Sequence, residues 1–364
     1  MGKRPAAGNG HGGPGAGTRY IPQMPVRHAW SRLPVETLLD MRIRDLGLRL
    51  QGTWLEDAVG HLEEELAERG FRFRPHVWLS DEWFSPNGIP GFAIPFYLAH
   101  PRLMQLERAQ MLEVEGGSWT ECMRILRHET AHAIQHAYRL QRRKGYQEVF
   151  GRARRYPEYY RPNPASRRFV QHLPLWYAQS HPDEDFAETF AVWLRPRSDW
   201  RRRYAGWPAL RKLEYVDELM SDIADRKPLV TSRQQVEPVR RIAGTLREHY
   251  DERKARYTRN FPNIYDRDLK RLFAETTPGT RRHPTAASFL RKHRAEIRNR
   301  VCRWTGEYAF TLDAVLGDMI GRCRELRLRA RGAERQLVTD FAVLLTVKTM
   351  HYLYSARTRD WIAL

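Results

Sequence analysis

The spacing of hydrophobic and polar positions predicts a mainly helical chain with a small β-sheet in its N-terminal third. Apolar residues recur every three or four positions between residues 54 and 70, which is typical of an amphipathic helix. Residues 71–79 then alternate apolar and polar side chains, and residues 92–98 form an apolar and aromatic run, so both are predicted strands. Pro95 favours an edge position for the second strand, because proline cannot donate a ladder hydrogen bond.

Two further helices are predicted from the signals at their ends. Ser118 and the glutamate three residues later form a capping box, which predicts a helix from residue 118 to about residue 143. Another helix is predicted to begin at Pro182 and Asp183, because proline suits a first turn and a carboxylate suits the positive helix end. It is predicted to end where Arg195 precedes a proline.

The remaining pattern divides the chain into three parts. Residues 1–25 are glycine-rich and cannot bury a core, so they are predicted to form a disordered tail. Residues 26–230 are predicted to form an α+β domain that is mainly helical and contains a small mixed sheet. A polar, proline-containing stretch marks the boundary, and residues 231–364 are predicted to form a basic α-helical C-terminal region.

The net charge of +19 and the isoelectric point of about 10.2 add negatively charged partners to the candidates. Such a charge fits nucleic acid, an anionic membrane surface or an acidic protein. It equally fits arginines on solvated faces, because they are spread along the whole chain. Aromatic residues accompany the C-terminal arginines, so a nucleic acid platform and a helical cap with an aromatic core are both open. These residues are Tyr250, Tyr257, Phe261, Trp304 and Tyr308.

The cysteines and the apolar runs indicate the compartment. Cys122, Cys302 and Cys323 are few, odd in number and widely spaced, which favours a reducing compartment over a disulfide framework. No apolar run approaches the roughly 18 residues of a membrane span, and the N-terminal segment lacks the apolar stretch of a signal peptide. The prediction is a cytoplasmic protein without a membrane span, with a specialised secretion route left open.

Residues 128–132 carry the motif that points to chemistry, His-Glu-Thr-Ala-His. Positions four apart share one face of a helix, so His128 and His132 can supply two corners of a tetrahedral zinc site. Glu129 projects beside them, where it can act as general base. The plainer alternative is a structural or solvated histidine pair. His136 lies one turn further on, but a straight helix cannot bring three such rings to one metal, so it is predicted to flank the site.

A catalytic zinc needs a third protein ligand and one open position. Glu184 and Glu188 are four residues apart on the helix predicted after Pro182, and they therefore share a face. Glu184 can coordinate the metal, while Glu188 can accept the ring N–H of a ligand histidine and fix its tautomer. The alternative, an acidic helix start with solvated carboxylates, loses weight because the HExxH motif precedes it.

The two helices together resemble the gluzincin metallopeptidases, which combine HExxH with a later helix that carries a ligand glutamate. The Glu-Asp-Phe-Ala-Glu-Thr-Phe segment is most similar to the branch containing anthrax lethal factor and a set of bacterial zinc-binding metallopeptidases. The resemblance covers about residues 92–194 and implies that Glu184 is the ligand and Glu188 its support. It also implies an oxyanion-donor role for Tyr177, seven residues before Glu184. The stretch after His132 is longer than in thermolysin-like members.

The resemblance implies a zinc-dependent peptidase with one catalytic Zn²⁺ and a zincin-like fold. Glu129 would pass a proton from the attacking water to the leaving amine, and Tyr177 would help to stabilise the oxyanion. A peptide or protein substrate would bind in extended form along residues 92–98. The alternative is a catalytically inactive module with the same fold that binds nucleic acid or an acidic partner through its basic C-terminal helices. A narrower alternative, an effector acting on a host protein, rests on the branch resemblance alone.

Overall fold

A computed structural model describes residues 28–152, 155–157, 160, 162–257 and 265–354. The predicted N-terminal tail and Phe261 lie outside the described residues, as does the side chain of Tyr257. The α-helices and strands up to residue 194 are α1 (Val35–Leu39), α2 (Trp54–Glu68), β1 (His76–Ser80), β2 (Gly91–Pro95), α3 (Pro101–Met111), α4 (Trp119–Tyr138), α5 (Lys144–Val149) and α6 (Pro182–Leu194). They are followed by α7 (Trp200–Arg203), α8 (Ala209–Ile223), α9 (Leu246–Tyr257), α10 (Asp266–Leu272), α11 (Ala286–Lys292), α12 (Arg294–Thr305), α13 (Ala309–Glu325) and α14 (Glu334–Tyr354).

Short 3₁₀ helices join several of these elements. They span Ala29–Arg32, Ile43–Leu46, Phe96–Ala99, Leu140–Arg142, Pro174–Gln179 and Val239–Arg241. The described chain is thus mostly helical with one small sheet, and the predicted α+β class is confirmed. No helix in the described ranges is long and apolar enough to cross a membrane.

The sheet pairs β1 with β2 in parallel, with Trp78 opposite Ala93. An isolated antiparallel bridge joins Phe84 to the same Ala93, whose N–H donates to the Phe84 carbonyl at 2.8 Å. Every residue of β2 is buried. The second strand predicted from the sequence is shorter than expected, because the chain turns into a 3₁₀ helix directly after Pro95.

Helix α4 carries the HExxH motif and is buried along almost its whole length. Ser118 caps it by accepting a hydrogen bond from the Glu121 amide at 3.3 Å, as the sequence predicts. The helix ends at Tyr138 rather than near residue 143, because Arg139 adopts the left-handed conformation that terminates helices.

A buried ion pair fixes the angular position of α4 against α2. The Arg127 guanidinium donates two hydrogen bonds to the Glu65 carboxylate, at 2.7 and 2.6 Å. Both side chains are almost completely buried, so each needs the other to offset its desolvation. Since Arg127 immediately precedes the motif, this pair helps to orient the face that carries the two histidines.

Two large apolar cores organise the described residues, beside a small cluster of Trp78, Ile89 and Ala93. The first runs from Trp30 to Tyr250 and includes α9, and the second runs from Tyr265 to Leu345. The first core therefore continues past residue 231, where the sequence predicts a boundary, because Leu246 and Tyr250 pack into it. The proposed division of the chain into domains stays a prediction.

Candidate active site

Helices α4 and α6 pack against each other and bring the three predicted metal ligands together. His128 Nε2 and His132 Nε2 lie 2.9 and 3.3 Å from the same Glu184 oxygen, and 3.2 Å from one another. All three side chains are buried. The spacing of four residues places both histidines on one face of α4. On α6, the side chain of His181 accepts a hydrogen bond from the Asp183 amide and so fixes where the helix that carries Glu184 begins.

The three ligand atoms fit a tetrahedral zinc ion. Bonds of about 2.0–2.1 Å at tetrahedral angles place ligand atoms about 3.3 Å apart. The three separations, 2.9, 3.2 and 3.3 Å, are close to this edge length. Among the described residues, this is the group of histidine, cysteine and acidic side chains able to hold a metal ion. His136 is not part of it, in agreement with its predicted flanking position.

The outer nitrogens of both rings also have partners, as metal-binding histidines usually do. His128 Nδ1 lies 2.9 Å from Glu188 Oε1, and the other Glu188 oxygen accepts the Leu173 amide at 2.7 Å. His132 Nδ1 faces Gln135 Oε1 at 3.4 Å. Each ring can therefore donate through Nδ1 and keep Nε2 free for a metal.

Electrostatics favour a cation at this point. Burial would lower the pKa of His128, but hydrogen bonds and charges from Glu184 and Glu188 outweigh it and raise that pKa well above its usual value. Burial would likewise raise the pKa of Glu184, yet the two histidines hold it well below its ordinary range. A cation that binds here displaces protons from the rings, which is how metal binding couples to pH.

Glu129 lies beside the cluster and has a partner that sequence reasoning missed. Ser85, in the loop between β1 and β2, donates its hydroxyl to Glu129 Oε2 at 2.9 Å. Glu129 is buried and lines a cavity of about 490 Å³ together with His128 and Tyr177. A carboxylate held by one hydroxyl, at the wall of a cavity and next to a metal site, is placed to exchange protons with a molecule bound there.

Tyr177 packs beside His128, with the two ring centroids 5.6 Å apart. Burial raises the pKa of its hydroxyl well above 10, and the nearby charges of Glu184 and Glu129 add to the rise. The hydroxyl therefore keeps its proton and can donate a hydrogen bond into the cavity. The backbone before it is unusual, since Leu175 and Trp176 both adopt left-handed φ values, 61° and 56°.

Tyr156 is a second tyrosine at the site, and the sequence analysis did not single it out. Its hydroxyl donates to Glu184 Oε1 at 2.9 Å, the oxygen that does not face the histidines. Its ring stacks on His181 with centroids 3.7 Å apart. The sequence around Tyr156 has no periodic pattern that could have indicated this contact.

The C-terminal part of the chain contributes one wall of the cavity. Gly306, Glu307 and Tyr308, between α12 and α13, line it together with His128. The described aromatic residues of this region lie in different surroundings: Tyr250 is buried in the first core, Tyr308 lines the cavity, and Trp304 is 80 % exposed. Binding of nucleic acid or an acidic protein stays a prediction.

Comparisons of the chain with protein-family models, with curated proteins and with solved structures find no match. The gluzincin resemblance therefore rests on the residues of α4 and α6 and on Tyr177.

Proposed function

We propose that this protein is a zinc-dependent metallopeptidase. The observation that carries the proposal is the convergence of His128, His132 and Glu184 at tetrahedral edge distances, beside a cavity lined by Glu129. A bound zinc ion would act as a Lewis acid and lower the pKa of water at the site towards 7. Peptides are the proposed substrates because the motifs of α4 and α6 resemble those of the gluzincin metallopeptidases, and because Glu129 and Tyr177 line one cavity.

The chain's own residues supply the remaining steps of peptide hydrolysis. Glu129 takes a proton from the attacking water and delivers it to the leaving amine, while Ser85 keeps its carboxylate oriented. Tyr177 donates its hydroxyl hydrogen bond to the oxyanion that develops on the scissile carbonyl. With a metal bound, Glu188 would accept the hydrogen bond of His128 Nδ1–H and so leave Nε2 unprotonated for the metal.

The test combines metal analysis with cleavage of a peptide library. Purified protein is expected to hold about one zinc per chain by elemental analysis and to cleave library peptides, with loss of cleavage after chelation and recovery on adding Zn²⁺. Glu129→Gln is expected to keep zinc and abolish cleavage. Less than about half an equivalent of zinc would contradict the metal site. Zinc without cleavage of any peptide would instead favour the inactive binding module.

We propose the cytoplasm as the compartment. The support is that Cys122 and Cys323 are buried and unpaired, and that Cys302 is also free, as is usual where thiols stay reduced. Fractionation of cells that express the tagged protein tests this. Recovery of the protein outside the cytoplasmic fraction would contradict it.

A further inference from the structure

The turn that carries Tyr177 has a backbone conformation that its residues do not prefer. Leu175 and Trp176 are consecutive non-glycine residues in the left-handed region, with φ values of 61° and 56°. A side chain with a Cβ disfavours this region, so such residues persist only where the surroundings enforce them. The contacts around the turn therefore decide where Tyr177 lies.

Two of these contacts come from residues that precede α7 in the sequence. The Leu173 amide donates to Glu188, which also holds His128, at 2.7 Å. The Tyr160 hydroxyl donates to the Leu175 carbonyl at 2.8 Å. The backbone is thus fixed on either side of Pro174, but neither contact restrains the Leu175 side chain.

The third contact comes from the C-terminal helices. Gly306 ends α12 with φ 70°, and it lies so close to Leu175 that an added Cβ would overlap Leu175 Cδ2 and lie 3.3 Å from Cγ. Gly306 and Leu175 both line the cavity, next to Tyr177. Glycine suits this position because of its left-handed backbone, and any Cβ added here would displace the Leu175 side chain.

We infer that the C-terminal helices position Tyr177 at the candidate metal site through the contact between Gly306 and Leu175. Gly306 and Leu175 are positioning residues, because they act through Tyr177 rather than on a substrate. The inference rests on the proposed function for the catalytic consequence alone. The positioning itself is a structural statement that a spectroscopic measurement can test without any peptidase assay.

The first experiment places 3-fluorotyrosine at position 177 of the full chain and records its ¹⁹F resonance. Gly306→Ala is expected to shift this resonance, because Leu175 must move to make room for the new methyl group. Gly70→Ala is the matched control: Gly70 also follows a helix, has φ 80°, and has open space around its missing Cβ. Its resonance is expected to stay at the wild-type position.

Leu175→Ala changes the other partner of the same contact, and it replaces Gly306→Ala in the experiment if that variant fails to fold. It removes the side chain that meets Gly306, so it is expected to shift or broaden the same resonance. An unchanged resonance in either folded variant would overturn the inference, as would an equal shift in Gly70→Ala. None of these outcomes depends on whether the protein cleaves peptides.

The second experiment is a double-mutant cycle in the cleavage assay. Gly306→Ala is expected to lower kcat by about tenfold with zinc retained, since a misplacement of about 1 Å can cost up to about 100-fold. In a Tyr177→Phe background the same substitution is expected to cost less than about twofold, because the group it displaces is already absent. Equal losses in both backgrounds would overturn the inference while leaving the proposed function intact. Absence of cleavage by the wild-type chain would instead count against the proposed function.

Discussion

The hydroxyl of Ser85 donates a hydrogen bond to Glu129 Oε2 at 2.9 Å, across a separation of 44 residues in the sequence. The contact joins the loop after β1 to the HExxH helix. Glu129 also lines the cavity. A general base with one oxygen held by a hydrogen bond is oriented before the substrate arrives, which reduces the reorganisation that the reaction requires.

Ser85→Ala is therefore expected to lower kcat/KM by about tenfold while zinc content stays at the wild-type level. A hydrogen bond to a charged group contributes about 1.5–3 kcal/mol, and about 1.4 kcal/mol corresponds to a factor of ten. Ser221→Ala is the control, because Ser221 is an exposed serine on α8 that donates to the Asp217 carbonyl instead. Kinetics on a cleaved library peptide measure the effect, and equal kcat/KM values in the two variants would exclude the orienting role.

Glu188→Gln is expected to weaken zinc binding by about 10–100-fold, the usual effect of losing a partner that supports a ligand histidine. Glu188 accepts from two groups, His128 Nδ1 and the Leu173 amide. A glutamine has one acceptor oxygen, so one of these donors would face an NH₂ group instead. Competition with a fluorescent zinc chelator gives the affinity. Glu218→Gln, at an exposed position of α8, is expected to match the wild type, and a matching affinity for Glu188→Gln would remove its supporting role.

Substitutions of the two tyrosines at the site are expected to have different effects, one on zinc affinity and the other on kcat. Tyr156→Phe removes the donor to Glu184 Oε1, so it is expected to weaken zinc affinity several-fold. Tyr177→Phe leaves that ligand untouched and is expected to lower kcat by about 10²–10³-fold, the usual effect of removing an oxyanion donor. Each variant is the control for the other in paired measurements of zinc affinity and kcat. The reverse pattern would assign the oxyanion role to Tyr156.

The sequence predicts the elements that carry the ligands because their signals are local. A capping serine starts α4, a proline and an acidic residue start α6, and spacings of four place each pair on one face. Convergence of the two faces follows from their packing, and the structure brings His128, His132 and Glu184 together as the spacing suggests.

The partners from loops could not be predicted in this way. Ser85 and Tyr156 meet their carboxylates across 44 and 28 residues, and neither lies in a periodic pattern. The Gly306–Leu175 approach is equally non-local, since a left-handed glycine at a helix end has the same sequence pattern whether or not another segment packs against it. Such contacts depend on how elements assemble, which spacing along one chain does not encode.

The carboxyl of Glu113, in the cavity wall, provides a test of the fold through pH. Burial raises its pKa to about 7; a hydrogen bond from the Ala309 amide opposes the rise, and repulsion by Glu121 adds to it. The folded chain therefore binds this proton more tightly than the unfolded chain, whose carboxyl titrates near its ordinary value of 4.5. The resulting stabilisation is complete below about pH 4.5 and is lost as pH rises to about 7.

Glu113→Gln is neutral at every pH and avoids this loss. Its Tm is expected to equal that of the wild type near pH 4.5 and to exceed it by a few degrees at pH 8, since about 1 kcal/mol changes Tm by about 2–4 °C in domains of roughly 150–250 residues. Thermal unfolding at several pH values measures the difference. Glu214→Gln, an exposed substitution on α8, is expected to follow the wild-type curve throughout. A Glu113→Gln curve parallel to the wild type would show that this carboxyl is solvated and titrates as it does in the unfolded chain.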